Sequence, residues 1–152
     1  INNEIEKLLA FSKGKETINT DMVNQITSKN IDDNVFHLVN ALIDGNKVKM
    51  MDIFEDLISV KTNEVTIVSI IASKYLEILH TKKLLDMGYS QTDLMKYFNV
   101  SKGRAYYMKK NAMSVQEKVL EKHIELLSDL DYKIKSGQVD KRLGLETFLL
   151  KA

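Results

Sequence analysis

The sequence contains no proline, and only 6 of its 152 residues are glycine. These two residues are the strongest breakers of an α-helix, because proline lacks a backbone N–H and glycine is conformationally free. A chain so poor in both can form long helices wherever apolar residues recur every three or four positions. Nowhere does the sequence show the sustained alternation of apolar and polar residues that is typical of a β-strand. We therefore predict an all-α fold.

The spacing of the apolar residues divides the chain into helices joined by short turns. We expect helices from about residue 33 to residue 42 and over Lys47–Val60, Glu64–Met87, 91–98, 102–112, 114–136 and 140–150. The helix over Glu64–Met87 has the widest apolar stripe and should be central. Helices with short connections pack as an antiparallel bundle. The predicted core residues are Leu38, Leu42, Ile71, Leu130, Ile134, Leu145 and Phe148.

A polar stretch, Thr27–Asn30, separates the first apolar residues from the rest of the chain. We interpret it as a linker with a hinge, after which Asp32 or Asp33 caps the first helix of the main domain. The sequence therefore predicts two units, residues 1–30 and residues 31–152. Because the chain does not begin with methionine, we expect it to be a fragment of a longer protein.

Several classes of function lack the residues that they need. There is no cysteine, which excludes disulfides, thiolate nucleophiles and cysteine-bound zinc and agrees with a cytoplasmic protein. The three histidines, His37, His80 and His123, do not have the spacing of paired metal ligands. No phosphate-binding glycine loop and no membrane-spanning apolar run is present. We expect no catalytic residue, cofactor or metal site, and a net charge of +1 does not favour polyanion binding.

Residues 91–110 have the layout of a helix-turn-helix, with a turn at Asn99 and a second helix capped by Ser101. This segment has five basic residues and no acidic one between positions 94 and 112: Lys96, Lys102, Arg104, Lys109 and Lys110. Such residues can neutralise phosphates while the second helix enters the major groove. The simpler interpretation is a helical hairpin within the bundle, with its charges in solvent. Gly103 also weakens a rigid recognition helix.

The end of the chain is distinctive. An apolar helical series stops at Ser136 and Gly137, and a second apolar cluster then closes the chain; the two groups are Leu126, Leu127, Leu130 and Ile134, and Leu143, Leu145, Phe148, Leu149 and Leu150. Three other blocks precede this pattern: residues 3–8 with Ile18 and Val23, residues 35–42 with Gly45, and residues 82–84 with 88–90 and 94–100. In order and spacing, these blocks resemble the C-terminal part of the bacterial DNA polymerase III delta subunit, a clamp-loader component.

This resemblance implies a role in assembly during DNA replication. Residues 1–30 would be the C-terminal tail of the AAA+ lid, and residues 31–152 the collar domain. In the family, collar domains pack into an oligomeric ring, so the expected partners are the gamma/tau and delta prime subunits. The beta sliding clamp is contacted through an N-terminal module that these residues do not include. The family's delta subunit does not hydrolyse ATP, so the resemblance implies no enzyme activity apart from association with the DNA polymerase.

The resemblance also bears on DNA. Some relatives carry an aromatic residue just before the glycine of the penultimate turn, placed to stack on template DNA. Here that position is Ser136, so stacking is not expected, whereas Lys133, Lys135 and Lys141 remain possible contacts to phosphate. We expect weak binding to primer–template DNA at most. The alternative prediction is a DNA-binding regulator that uses residues 91–110 and forms a dimer with a basic face.

Overall fold

The computed structural model describes residues 20–152, which form seven α-helices. They are α1 (Thr20–Ile43), α2 (Lys47–Ser59), α3 (Glu64–Asp86), α4 (Gln91–Phe98), α5 (Lys102–Ser114), α6 (Glu117–Lys135) and α7 (Lys141–Lys151). This part of the chain has no β-strand, so the predicted all-α class is confirmed. None of the described helices combines the length and apolar character needed to cross a membrane.

Most helices start at a residue whose side chain satisfies a free backbone amide in the first turn. Five side chains accept such a hydrogen bond: Asn46, Asn63, Ser90, Ser101 and Asp140. The prediction that the long helix α6 begins at residue 114 is wrong, because it begins at Glu117. Ser114 ends α5, its hydroxyl donates to the Asn111 carbonyl, and Gln116 precedes α6 without a side-chain cap.

Helix α3 lies at the centre of the bundle and packs against α1, α5, α6 and α7. Its buried side chains include Ile67, Ile71 and Tyr75. Burial raises the pKa of the Tyr75 phenol far above its ordinary value. Of the predicted core residues, Ile134 is only partly buried, whereas the other six are buried: Leu38, Leu42, Ile71, Leu130, Leu145 and Phe148.

The prediction of a linker at Thr27–Asn30 is wrong, because α1 runs through it without a break. No residue in this stretch is a glycine or a proline, so nothing in it stops a helix. Thr27, Ser28 and Lys29 lie on the exposed surface of α1, which explains why polar residues occur there inside a helix. The predicted cap at Asp32 or Asp33 is wrong for the same reason, since both residues lie inside α1. Residues 1–19 of the predicted first unit lie outside the described residues.

Candidate functional site

Among residues 20–152, no group of three or more histidine or acidic side chains is placed to hold a metal ion. The histidines instead contact aromatic rings in separate places. His37 lies beside Phe36, His80 beside Tyr97, and His123 between two rings of the core. The predicted phosphate contacts and the exposed apolar side chains of the described chain are the other candidates for a site.

Arg104, the arginine among the predicted phosphate contacts, already forms ion pairs within the protein. Its two terminal nitrogens each lie 3.4 Å from the Asp32 carboxylate, and Asp33 and Glu77 lie at 3.7 and 3.8 Å. Its guanidinium carbon stacks 4.7 Å from the ring centre of Phe36. Arg104 therefore ties α5 to α1 and α3, and the structure does not present it to DNA.

The same cluster explains the two aspartates that the sequence predicted as helix caps. The other oxygen of Asp32 lies 2.8 Å from the ammonium of Lys74, whose side chain is only 7% exposed. Glu77 lies 3.9 Å from the same ammonium. A buried charge needs such partners, because desolvation without a counter-charge is costly. Asp32 thus joins α1 to α3 and α5 through one carboxylate.

The predicted phosphate-binding lysines fall into two groups. Four of them form ion pairs on the surface: Lys110 with Asp44, Lys133 with Asp129, Lys135 with Asp131 and Lys141 with Glu64, at 3.3, 2.7, 2.7 and 3.2 Å. Three others have no ion pair with any described residue: Lys96, Lys102 and Lys109. The free positive charge on the α4–α5 hairpin is therefore smaller than the sequence suggests.

Helix α5 is built into the bundle on its inner side. Ala105, Met108 and Ala112 are buried, and the buried Asn111 amide donates a hydrogen bond to the side chain of Asn40 on α1. Such a buried amide pair fixes how the two helices pack. The outer side of α5 carries bulky aromatic rings at positions 106 and 107, which are 53% and 42% exposed. This arrangement differs from a recognition helix that offers polar side chains to base edges.

The last turns of α6 carry an exposed aromatic residue that was not among the predicted DNA contacts. Tyr132 lies one helical turn before Ser136 and is 65% exposed. Its outward position follows from the pattern of α6, because it falls between the inward residues Leu130 and Ile134. Gly137 makes the turn between α6 and α7 with a φ of +74°. An exposed ring therefore lies next to the lysines that the sequence placed near DNA.

A groove of about 480 Å³ runs between α6 and α7. Leu126 and Leu143 lie on its sides and are 44% and 62% exposed. The sequence placed Leu126 in the apolar series before Ser136 and Leu143 in the apolar cluster that closes the chain. Leu130 and Phe148 lie deeper and are buried. The groove is thus an apolar surface that residues 20–152 leave open.

Comparison with known proteins gives one consistent result. A model of the family "DNA polymerase III delta subunit, C-terminal domain" matches residues 32–152. The DNA polymerase III subunit delta of Bacillus subtilis (strain 168) is 31% identical over 148 residues, which cover 97% of this chain and 43% of that protein. The solved structure of the Bacillus subtilis DNA clamp loader delta protein matches with a TM-score of 0.74 and 31% identity, covering 98% of this chain and 44% of that one.

The chain therefore spans less than half the length of these relatives. The match includes the α4–α5 hairpin within one family domain, and it lends no support to the alternative prediction of a helix-turn-helix regulator. Fold and sequence agree over nearly the whole of this chain. The chain belongs to the DNA polymerase III delta subunit family, and its residues 32–152 correspond to the C-terminal domain of that family.

Proposed function

We propose that this chain is the collar part of a clamp-loader delta subunit and helps to hold the loader together while a sliding clamp is placed on DNA. The observation that carries the proposal is the agreement of fold and sequence with a clamp loader delta protein over 98% of the chain. The partners would be the gamma/tau and delta prime subunits. The beta clamp would be contacted by a module outside these 152 residues.

The described surface suits a protein that assembles with others. Large apolar side chains are strongly exposed at several places, with Val48 at 75%, Met87 at 72% and Met113 at 70%. Apolar groups left in water favour association when a partner can cover them. A subunit that only holds others together requires no catalytic residue of its own. Because DNA replication in bacteria takes place in the cytoplasm, we propose a cytoplasmic location.

The proposed boundary between a lid tail (residues 1–30) and a collar (residues 31–152) falls inside a helix. Helix α1 crosses the proposed boundary as one continuous element. The ion pairs of Asp32 fix this helix to the collar directly after the boundary. The lid tail would therefore be joined to the collar by a helix, which is stiffer than a polar linker.

Any contact with primer–template DNA would be weak and independent of sequence. Lys96, Lys102 and Lys109, which form no ion pair with residues 20–152, are suited to phosphates, and the exposed ring of Tyr132 is suited to stacking. Three phosphate contacts would make the logarithm of the binding constant fall with the logarithm of salt concentration with a slope of about −3.

The function can be tested by competition in a clamp-loading assay with subunits from the same organism. The 152-residue chain should take the place of the complete delta subunit in the collar without supplying the clamp-contacting module. Added before the loader assembles, an excess should therefore lower the rate of clamp loading. Added to a preassembled loader, it should act much more slowly. An undiminished rate in both orders, with no co-elution with gamma/tau or delta prime, would refute the proposal.

A further inference from the structure

The groove between α6 and α7 has a regular arrangement of side chains along both sides. On α6, Lys122, Leu126 and Lys133 line it, and on α7 Leu143 and Lys151 line it. Spacings of four, seven and eight residues, close to whole numbers of helical turns, place the members of each set on one face of their helix. Each side of the groove therefore combines an exposed leucine with lysine near an end.

The bottom of the groove is closed because the two helices approach each other closely. A Cβ atom on Gly144 would lie 2.8 Å from a methyl carbon of Leu130 and 2.8 Å from one of Val139. The absence of a side chain at this position lets α7 pack onto α6. Phe148, 8% exposed, also lines the groove. The groove is a formed feature of the fold rather than a gap between loosely packed helices.

The charge around the groove is positive. Asp129 is the acidic residue on its lining, and its carboxylate is already 2.7 Å from the ammonium of Lys133. Lys122 and Lys151 have no ion pair with any described residue. Burial, together with the charge of Lys122, lowers the pKa of His123 at the same end, so its ring is neutral at neutral pH. Within the described part of the chain, these two ammonium groups therefore border an apolar surface without an acidic partner.

We propose that this groove binds an amphipathic helix of a partner polypeptide, with large apolar residues on one face and acidic residues beside them. A groove between two packed helices accepts a third helix at an interaxial distance of about 8–10 Å. Apolar residues at positions i, i+3 or i+4 and i+7 would contact Leu126 and Leu143. Acidic side chains would pair with Lys122 and Lys151. The proposal concerns the groove alone and does not depend on the collar function.

A display library of random peptides of about 16 residues, long enough for about four helical turns, provides the probe. Selection on the 152-residue chain should enrich peptides with helically spaced apolar residues and flanking acidic residues. In fluorescence anisotropy, Leu143→Glu should weaken the binding of an enriched peptide about tenfold or more. Leu76→Glu is the matched control, because Leu76 is 51% exposed on α3 and does not line the groove. Circular dichroism checks that both variants remain folded.

The charge is tested separately. Lys151→Glu should weaken the binding of the same peptide, and the loss should shrink at high salt. Lys118→Glu is the control, because Lys118 is exposed on α6 outside the groove, and it should leave peptide binding unchanged. The proposal is overturned if no peptide is enriched, if enriched peptides carry basic flanks, or if Leu143→Glu has no effect. Self-association of the chain that Leu143→Glu abolishes would also overturn it, because the occupant would then be a second copy.

Discussion

Replacing Asp32 by alanine should destabilise the bundle far more than a change at a half-exposed carboxylate normally does. The substitution removes the partner at 2.8 Å from the Lys74 ammonium, which is 7% exposed, and the Arg104 partner at 3.4 Å. Leaving one member of a buried ion pair without its partner costs about 3–5 kcal/mol. Asp32 is itself 39% exposed, and Glu77 still lies 3.9 Å from Lys74, so part of this cost is avoided.

We therefore expect a loss of about 2 kcal/mol for Asp32→Ala, which corresponds to a fall in melting temperature of about 4–8 °C for a chain of this size. Urea unfolding followed by circular dichroism measures it. The double variant Asp32→Ala/Lys74→Met should recover part of the loss, because it no longer buries the Lys74 ammonium without a partner. Asp33→Ala is the control, since Asp33 is 47% exposed and reaches Arg104 only at 3.7 Å. It should cost less than about 1 kcal/mol.

Two results would refute this reasoning. An Asp32→Ala variant with the wild-type urea midpoint and slope would mean that Lys74 finds water or another partner at little cost. A double variant that is no more stable than Asp32→Ala would mean that the loss comes from α1 itself rather than from the buried charge. Either result would remove the structural role assigned to the cluster.

Three further predictions follow from other parts of the chain. Phe148→Ala should cost about 3 kcal/mol in urea unfolding, near the lower end for a buried phenylalanine because Phe148 borders the groove; an unchanged midpoint and slope would contradict its burial. Stability should fall as pH drops below about 6.5, because burial lowers the pKa of folded His123 and the unfolded state then binds more protons. The His123→Phe variant should lack this part of the change when urea midpoints are compared at about pH 7.5 and about pH 5.5, and equal pH dependence in both proteins would refute the assignment. Binding to two unrelated duplexes and a primer–template junction at two salt concentrations should be weak and salt-sensitive, with little difference between the duplexes; strong discrimination lost in Lys109→Ala would favour sequence reading.

Local signals in the sequence were sufficient to predict much of the fold. Asn63, Ser90 and Ser101 start helices because a short polar side chain reaches an amide two or three residues ahead, which depends on nearby residues alone. The central position of α3 followed from the width of its apolar stripe, since a helix surrounded by neighbours must be apolar on most sides. Both features depend on residues within one helix or directly beside it, so they can be predicted without knowing the tertiary structure.

Other features depend on residues far away in the sequence. Asp32 is a residue type that often caps helices, but it lies inside α1 and pairs with Lys74, 42 positions later in the sequence. Arg104 has the position of a phosphate ligand, and its partners on α1 and α3 cannot be read from the hairpin itself. Leu143 is as apolar as Leu145, yet it is 62% exposed because the described fold provides no helix to cover it. Tertiary packing decides each of these cases.

Native mass spectrometry of the 152-residue chain mixed with gamma/tau and delta prime subunits of the same organism tests the collar assignment most directly. A collar domain should give a complex that contains a single copy of this chain together with both partners, and the complex should form without added duplex DNA. A stable homodimer of the chain that binds one duplex sequence tightly, with no complex with either partner, would contradict the collar assignment.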